Sequence, residues 1–520
     1  MFYTIIVIKL LGGIQMKKWQ KMLASLSTIF LLTACGGNKT TDSQSDESTT
    51  NKTSETTDAA SGASEQEYTD PSELKDQYDI IIVGAGGAGM SAALQAKEAG
   101  ANPVILEKMP IAGGNTLKSS GGMNASETKF QKEQDIEDSN DTFFEDTLKG
   151  GGGTNDQELL RYLVDHSAEA IDWLDGMGIT LDNISFSGGA SVKRIHRPSD
   201  GSAVGGYLVD GLTQNVFEQN IPLFVNANVN SIVQKDDEIK GVTVEIGGKE
   251  KQISSEAVIV TTGGFGGNEE MIVKYRPDLE GYVSTNSEGS TGDGITMIEA
   301  LGGQVVDMDK IQVHPTVVQK DGMLVSETIR GEGGILVNQE GKRFYNELET
   351  RDKVSAAVSA LPEGYAYAVF DNGLATRAKQ VDFYKEQGAV VEGDTIEELA
   401  SKINVPEDVL KETLDTWNQA VANQNDSEFD RETGMDYDLS EGPFYAIEIA
   451  PGIHHTMGGV KINTNTEVLD TDGNTIPGLF AAGEVTGGLH GDNRIGGNAV
   501  ADIVIFGRQA GEQSASFVKE

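Results

Sequence analysis

Continuous apolar runs alternate with helical patterns along most of the chain. The first apolar run, at 79–83, is followed by the glycines of 84–89, a helical stretch at 90–99 and a second apolar run at 103–107. Uninterrupted apolar runs of this length are typical of parallel strands that are buried on both faces. The order predicts a β-α-β unit at the start of an α/β fold.

Further along, the pattern predicts helices over 156–176 and strand-rich hairpins over 222–260. From about 310 to 453 it changes to mixed strands and amphipathic helices, and glycine-rich sequence returns only after His455. About 445 residues follow the polar N-terminal stretch, which is enough for two domains. We therefore predict that a second domain is inserted between two parts of the first, with a substrate cleft at their interface.

The glycines after the first strand match the dinucleotide-binding fingerprint. Gly84 is expected to make the tight turn, Gly86 to let the backbone approach a pyrophosphate, and Gly89 to let the helix pack on the strand. Glu107 ends the next strand, at about the distance where a carboxylate accepts hydrogen bonds from an adenosine ribose. Paired with the glycine-rich sequence at 478–499, the fingerprint indicates a flavin dinucleotide.

The predicted fold class is α/β, with a Rossmann-like FAD-binding domain on a parallel sheet and an inserted α+β capping domain. The predicted organisation is a signal peptide with a lipobox at 1–35, an acidic Ser/Thr-rich tether at 36–75, the FAD-binding domain at 76–310 and 455–520, and the capping domain at 311–454.

The N-terminal segment resembles a bacterial lipoprotein signal. Lysines at 17, 18 and 21 precede an apolar run at 22–32, and the sequence LTAC ends at Cys35. Cys35 is expected to carry the lipid that anchors the protein to the extracellular face of the membrane, in a bacterium of the Gram-positive type. Met16 is the expected true start. The polar residues that follow cannot offset their ordering entropy and are predicted to form a disordered tether.

Charge and cysteine content exclude several classes of partner. The chain has 81 acidic and 40 basic residues, a net charge of −41, which argues against nucleic acid as a partner. Cys35 is the single cysteine, so the sequence contains no CxxC or CxxCH with which to hold a metal, a cluster or a c-type haem. No metal site is predicted.

Five motifs, in order, resemble one known family. They are HPT at 314–316, SETIRGEGGILVNQEGKRF at 326–344, ETRD at 349–352, HHTMGG at 454–459 and GEVTGGLHGDNRIGGNA at 483–499. The set is similar to the flavoprotein of the succinate dehydrogenase and fumarate reductase superfamily, and particularly to the soluble flavocytochrome c type fumarate reductases. The resemblance runs from about 76 to 515. It implies an FAD enzyme that reduces fumarate to succinate as a terminal electron-acceptor reaction.

The resemblance also implies roles for individual residues at the substrate. Arg351 is the implied proton donor, re-protonated through Glu327 and Arg330. The implied substrate-binding residues are His314, Ser326, Glu327, His454, Arg494 and Gly497, with Arg494 as a bidentate fork on a carboxylate. An arginine acid is energetically tolerable, because its loss of a proton near neutrality costs about 7 kcal/mol within a barrier of about 15 kcal/mol.

The cofactor contacts follow from the same motifs. Asn115 stands where membrane-bound relatives place the histidine that bonds covalently to FAD, so noncovalent FAD is expected. The expected contacts are Gly84, Ala85, Gly86, Gly87, Ala88, Gly89, Glu107 and Lys108 for the ADP half; Gly114, Asn115, Thr116, Ser120, Gly121 and Gly122 near the flavin; Gly264 and Asp293 along the middle; Glu484 toward the ribityl chain; and His455, Asn498 and Ala499 at the isoalloxazine ring.

Several alternatives stay open. Ser326 replaces the family's usual threonine, and another acrylate, such as urocanate or an aryl acrylate, is the alternative substrate. A solute-binding lipoprotein is the alternative outside enzymes, since signal, lipobox and tether are common in that class; it would be colourless, whereas a flavoprotein is yellow. Because no haem or FMN attachment motif is present, electrons are expected from a separate carrier, a membrane dehydrogenase or a small surface flavoprotein.

Overall fold

The computed structural model describes residues 68–519. The predicted signal, Cys35 and residues 36–67 of the predicted tether lie outside the described residues. The end of the predicted tether, 68–75, is instead ordered, because the backbone N of Thr69 bonds to the Leu223 oxygen of β6 and the side chain of Leu74 is buried. Within 68–519 the strands are β1 Ile80–Val83, β2 Pro103–Leu106, β3 Met123–Asn124, β4 Asn183–Ser185, β5 Ile195–Arg197, β6 Leu223–Phe224, β7 Ala227–Lys235, β8 Glu238–Ile246, β9 Lys249–Ser254, β10 Ala257–Val260, β11 Val305–Val306, β12 Ile311–Val318, β13 Met323–Leu324, β14 Ile335–Val337, β15 Ala366–Asp371, β16 Val390–Gly393, β17 Phe444–Thr456, β18 Gly459–Val460, β19 Glu467–Leu469 and β20 Thr475–Ala481.

The helices, in the same part of the chain, are α1 Gly87–Glu98, α2 Gly114–Leu117, α3 Lys129–Glu133, α4 Asn140–Gly150, α5 Gln157–Asp165, α6 Ser167–Gly176, α7 Val204–Glu218, α8 Glu269–Tyr275, α9 Asp293–Glu299, α10 Glu327–Gly331, α11 Arg351–Ser359, α12 Asn372–Arg377, α13 Gln380–Glu386, α14 Ile396–Lys402, α15 Glu407–Asn423 and α16 Asn498–Phe517, with 3-10 turns at Pro71–Glu73 and Pro277–Leu279.

The first large sheet has six strands in the order β19-β20-β10-β1-β2-β6. The pairs β1–β2, β1–β10, β10–β20 and β2–β6 are parallel, and β19 is an antiparallel edge. Every residue of β1, β2 and β10 is buried, which explains the uninterrupted apolar runs in their sequences. The predicted parallel sheet of a Rossmann-like domain is confirmed.

Helices α1 and α16 pack closely beside this sheet. A Cβ at Gly507 would lie 2.6 Å from the carbonyl oxygen of Ala88, and one at Gly511 would lie 2.3 Å from that of Ala92. The two glycines of α16 therefore allow its backbone to contact α1. The predicted helix at 90–99 begins three residues earlier, at Gly87, because Gly86 has the extended backbone of an N-cap.

The second large sheet has the order β13-β12-β17-β15-β14, with β16 also pairing with β17, and all of these pairs are antiparallel. The 13-residue strand β17 ends in the HHT sequence, and β12 beside it carries the HPT sequence. Strand β17 runs through the predicted boundary between His454 and His455. The contacts group 63–520 as one unit, so the domain limits stay predictions.

The cap region has its own apolar cores on the two faces of this sheet. One contains Trp417 and Leu414 of α15 packed with Val369, and the other contains Val354 of α11 packed with Phe370. The second core also contains Ile329 of α10, so it holds α10 and α11 against the sheet, and both helices carry predicted catalytic residues. Among residues 68–519, no helix is both long enough and apolar enough to cross a membrane.

Candidate active site

The glycine loop after β1 leaves space at one position. A Cβ at Gly84, whose φ is +106°, would lie 2.5 Å from the carbonyl oxygen of Thr261, and one at Gly89 would lie 2.0 Å from that of Gly84. At Gly86 the nearest atom to an added Cβ is Thr116 Oγ1 at 3.7 Å. Gly84 and Gly89 are thus required by the packing of the chain itself, whereas Gly86 opens the N-terminus of α1, where a helix binds anions.

Glu107 lies buried at the end of β2. Its Oε2 accepts a hydrogen bond from the backbone N of Ala85 and its Oε1 accepts one from that of Met109, both at 2.8 Å. Burial raises the pKa of Glu107 against the effect of these two donors. A carboxylate has about four acceptor positions, so Glu107 keeps capacity for the hydroxyls of a ribose.

A second buried carboxylate, Glu484, contacts several residues that are predicted to bind the flavin. Asn115 Nδ2 donates to Glu484 Oε2 at 2.9 Å, and the backbone N of Thr456 donates to Oε1 at 3.1 Å. His455 Nδ1 lies 3.3 Å from the same Oε1, while its Nε2 is buried and has no hydrogen-bond partner in the described part of the chain. Burial raises the pKa of Glu484 and lowers that of His455, so the histidine is neutral with a ring nitrogen available to a cofactor.

Other predicted cofactor residues lie in the same region of the fold. Lys108 Nζ forms an ion pair with Asp293 Oδ2 at 2.6 Å, which joins β2 to the first turn of α9. The backbone N of Gly87 donates to Thr116 Oγ1 at 3.0 Å. Gly264 lies against Thr456, whose Oγ1 would be 2.0 Å from an added Cβ.

The remaining predicted cofactor residues lie in α1, in and after α2, and at the start of α16. Gly114 begins α2, and Ala88 lies in α1 against α16. Asn498 is the first residue of α16, where its Oδ1 accepts from Asn124 Nδ2 at 2.7 Å, and Ala499 follows it. Gly121 and Gly122 pack on backbone, since Gly121 accepts a hydrogen bond from Val204 and Gly122 lies against His196.

These observations fit an FAD. The chain offers an unobstructed glycine at a helix N-terminus for a pyrophosphate. It also offers a buried carboxylate with spare acceptor capacity, bonded to Ala85 of the same loop, and a buried histidine nitrogen that has no partner among residues 68–519. No group of three His, Cys, Asp or Glu side chains within 68–519 could hold a metal ion.

The predicted substrate residues form a buried cationic pocket. His314 and His454 lie edge to face with ring centroids 5.1 Å apart. The backbone N of Thr316 donates to His314 Nδ1 at 3.2 Å, so the proton of this neutral ring is on Nε2, which is buried and unpartnered among residues 68–519. Burial, reinforced by the charge of Arg351, lowers the pKa of both histidines well below the ordinary value.

Arg351, Glu327 and Arg330 form a continuous charged chain. Arg351 Nε donates to Glu327 Oε1 at 2.8 Å, and Arg330 Nη2 lies 3.5 Å from the same oxygen. Glu327 and Arg330 are three residues apart on α10, which places them on one face. Burial opposes ionisation of Glu327, but the charges of Arg351 and Arg330 outweigh it and lower the pKa of Glu327 to about 2. The carboxylate is therefore ionised between two guanidinium groups.

Arg494 completes the pocket from the segment before α16. Its guanidinium is buried, and its Nε has no hydrogen-bond partner in the described part of the chain. Burial and the nearby charge of Arg351 lower the pKa of Arg494 to about 9. Ser326 is the N-cap of α10, where its Oγ accepts from the backbone N of Thr328 at 3.2 Å and donates to the carbonyl oxygen of Ser120 at 3.4 Å.

Two residues that the sequence analysis missed hold this pocket together. Gln312 accepts a hydrogen bond from Arg351 Nη1 at 2.9 Å and donates to the backbone oxygen of Arg494 at 2.7 Å. It lies two residues before His314 on β12, a spacing that places both side chains on one face and could have identified it. A Cβ at Gly496 would be 2.1 Å from Glu327 Oε2, so this glycine admits the carboxylate; Gly497 has a φ of +89° and precedes α16.

Comparison with known proteins decides the family. The FAD binding domain family matches residues 79–500. The chain is 43% identical over 466 residues to Fumarate reductase (cytochrome) of Shewanella frigidimarina, a match that covers 89% of this chain and 81% of that protein. The chain belongs to the succinate dehydrogenase and fumarate reductase flavoprotein superfamily. It is an FAD-dependent oxidoreductase, as its glycine loop and buried carboxylates indicate.

Two further comparisons define the extent of the match. An NADH:fumarate oxidoreductase of Klebsiella pneumoniae is 52% identical over 439 residues, covering 84% of this chain but 48% of that protein, so the chain spans about half its length. The solved open conformation of a flavocytochrome c3 fumarate reductase has a TM-score of 0.71 and 42% identity, and the match covers 86% of this chain and 80% of that one. The fold class is confirmed.

Proposed function

We propose that the protein reduces fumarate to succinate. The observation that carries this proposal is the charge of the pocket: three buried guanidinium groups, Arg330, Arg351 and Arg494, act on one ionised carboxylate, Glu327. Among these four groups the positive charges exceed the negative charge by two, which suits a dicarboxylate dianion. A monocarboxylate or a neutral ligand would leave buried charge uncompensated, which is costly.

The side chains of the pocket supply donors for two carboxylates. His314 offers a protonated Nε2, and Arg494 offers its free Nε as part of a planar fork. His454 accompanies His314 at ring-contact distance, with its Nδ1 held by Thr285 Oγ1 at 2.8 Å. These groups bind the substrate and orient its double bond against the flavin ring. When bound in its reduced form, FAD supplies a hydride to one alkene carbon.

Arg351 is the acid for the other alkene carbon. Its Nε is bonded to Glu327 and its Nη1 to Gln312, whereas Nη2 makes no hydrogen bond to protein among residues 68–519. Nη2 is thus the atom from which the proton leaves. The fixed Nε and Nη1 hold the guanidinium plane in one orientation, which is a requirement for efficient proton transfer.

Re-protonation follows the charged chain. Glu327 Oε1 accepts a hydrogen bond from Arg351 and lies 3.5 Å from Arg330 Nη2, so a small shift of the Arg330 side chain would let a proton pass from Arg330 through Glu327 to Arg351. Burial lowers the pKa of Arg330 to about 10, closer to neutrality than for a solvated arginine. The fold thus brings the proton affinity of Arg330 closer to the working pH, whereas it moves that of Glu327 away from it.

The cellular setting is part of the proposal. We place the enzyme on the extracellular face of the membrane, anchored through Cys35, with a separate electron carrier. The support is the lipobox sequence and the absence of any haem-attachment motif from the sequence.

Reduced methyl viologen tests the reaction. The purified yellow protein should oxidise it only when fumarate is added, with succinate as the product. Urocanate and an aryl acrylate in parallel assays test the alternative substrates, and we expect fumarate to give the highest kcat/KM. Absence of fumarate-dependent oxidation would contradict the proposal, and a faster reaction with urocanate would replace fumarate as the substrate.

A further inference from the structure

A buried cluster of charges lies directly behind Arg330. We call Arg343, Glu347 and Arg431 the Glu347 cluster. Arg343 donates to the Glu347 carboxylate through Nε and Nη2, both at 2.8 Å, and Arg431 Nη1 donates to it at 3.2 Å. The side chains of all three residues are at most 1% exposed.

This cluster contacts Arg330 at two places. The backbone carbonyl oxygen of Glu347 accepts a hydrogen bond from Arg330 Nη1 at 2.6 Å. Arg431 Nη2 donates to the backbone oxygen of Arg330 at 2.6 Å and to that of Gly434 at 2.8 Å. Glu347 therefore acts on Arg330 in two ways. Its backbone oxygen holds the Arg330 guanidinium. Its carboxylate holds Arg431, which in turn bonds to the backbone oxygen of Arg330 in the last turn of α10.

Stability alone does not account for such a cluster. Removing ions from water is costly, and apolar side chains of the same volume are often equally stabilising. The guanidinium carbons of Arg343 and Arg431 lie 4.7 and 4.5 Å from the ring centroid of Trp417, which limits the movement of both. The arrangement provides a fixed orientation for the side chain that it contacts.

We propose that Glu347 is a positioning residue for proton delivery, which holds Arg330 in line with Glu327 and keeps it in the cationic form. This inference rests on the proposed function, because Arg330 matters only if a proton is delivered through it. Nothing in the ETRD or SETIR motifs pointed to Glu347.

The charged groups around Arg330 influence its pKa, so the proposed role of Glu347 can be measured as a change in pH dependence. Burial lowers the pKa of Arg330 to about 10; Glu327 opposes this effect, Arg351 and Arg431 reinforce it, and Glu347 opposes it. A nearby opposite charge favours the charged form of an arginine, and Glu347 makes the smallest of these contributions. Neutralising Glu347 should therefore move the alkaline limit of proton delivery to lower pH.

The test compares Glu347→Gln with Asp426→Asn. Asp426 is also buried and binds Arg343, through Nη1 at 3.1 Å and Nη2 at 2.8 Å. It accepts a bond from the backbone N of Arg431 at 3.4 Å, but it makes no bond to Arg330 or to the Arg431 guanidinium. With methyl viologen as donor, Glu347→Gln should lower kcat by about 10- to 100-fold, leave KM within about twofold, and shift the alkaline limb of the kcat–pH profile to lower pH.

Asp426→Asn should keep the kcat and the pH profile of the wild type, even if both variants lose thermal stability. Equal kinetics of the two variants, or an unmoved alkaline limb in Glu347→Gln, would overturn the proposal.

If Glu347→Gln yields no folded holoprotein, Glu347→Asp provides the test. Because aspartate keeps the charge, kcat should fall while the alkaline limb stays in place. An unchanged kcat would refute the role of Glu347. The two proposals are tested separately. The rate of the wild type with fumarate tests the proposed function. The ratio of the variant kcat to the wild-type kcat, measured with any acrylate that the wild type reduces, tests the role of Glu347.

Discussion

Arg351 and Glu327 form a buried ion pair at the facing ends of α11 and α10, with 2.8 Å between Nε and Oε1. Each residue begins its helix, so the pair joins the two N-termini. Arg330, one turn along α10, lies 3.5 Å from the same oxygen. The acid and its proton source are thus positioned by two short helices rather than by flexible loops.

Replacing Glu327 by glutamine should interrupt the relay. The amide cannot carry a proton between the two arginines, so we expect kcat to fall by about 10²- to 10⁴-fold with methyl viologen and fumarate. Glu349→Gln is the control, because Glu349 pairs with Lys353 at the surface and contacts neither arginine. Normal turnover by Glu327→Gln would show that protons reach Arg351 by another path.

The charge of Arg494 should govern substrate capture at high pH. The guanidinium must be protonated to bind a carboxylate, and its pKa is lowered to about 9 by burial and by Arg351. As pH rises through about 9 the free enzyme loses this cation, so kcat/KM should decline there, since that parameter reports the free enzyme. Measuring kcat/KM from neutral pH to about pH 10.5 checks this decline. A flat profile would contradict the predicted role of Arg494.

Two neighbouring glycines should respond differently to alanine. At Gly89 a Cβ would lie 2.0 Å from the backbone oxygen of Gly84, so Gly89→Ala should unfold the first β-α-β unit or lower the Tm strongly. At Gly86 the protein leaves room, so Gly86→Ala should fold with a near-normal apoprotein Tm but lose FAD. The ratio of flavin to protein absorbance, measured with the Tm, separates the two effects, and full flavin occupancy in Gly86→Ala would argue against a pyrophosphate at this position.

The flavin should not be covalently attached. Asn115 has no nucleophilic nitrogen, and its Nδ2 is already bonded to Glu484 and to Asn286. Acid precipitation should therefore give a white pellet and release intact FAD into the supernatant. Yellow colour that stays with the precipitated protein would contradict this prediction.

The sequence was informative where one residue type is physically required. The β1 glycines and Glu107 predicted the parallel sheet and the dinucleotide site, since their spacing along a β-α-β unit is tied to its geometry. Gln312 and Glu347 were missed because their roles depend on contacts with distant segments. Gln312 links Arg351 to Arg494, and the carboxylate of Glu347 accepts a hydrogen bond from Arg431. Such long-range contacts leave no local pattern at Glu347, and at Gln312 the local signal is limited to its spacing from His314 on β12.

Helix and strand limits were less predictable for a related reason. The helices predicted over 156–176 are α5 and α6, but the apolar pattern did not predict that the break between them falls at His166. The ring of His166 stacks on Tyr162 with centroids 3.9 Å apart, and its Nδ1 bonds to the carbonyl oxygen of Tyr162 at 2.8 Å. A packing contact of this kind decides where a helix ends and is not visible in periodicity.

The most direct test of the account is the reoxidation of the chemically reduced holoprotein by fumarate in a single turnover, compared between wild type and Arg351→Lys. Lysine keeps the charge but not the planar group held by Glu327 and Gln312. Arg276→Lys, in a surface pair with Asp278, is the control. The account predicts rapid flavin reoxidation in wild type and control, and a rate lower by about 10²-fold or more in Arg351→Lys with the flavin still bound. Equal rates in all three proteins would contradict it.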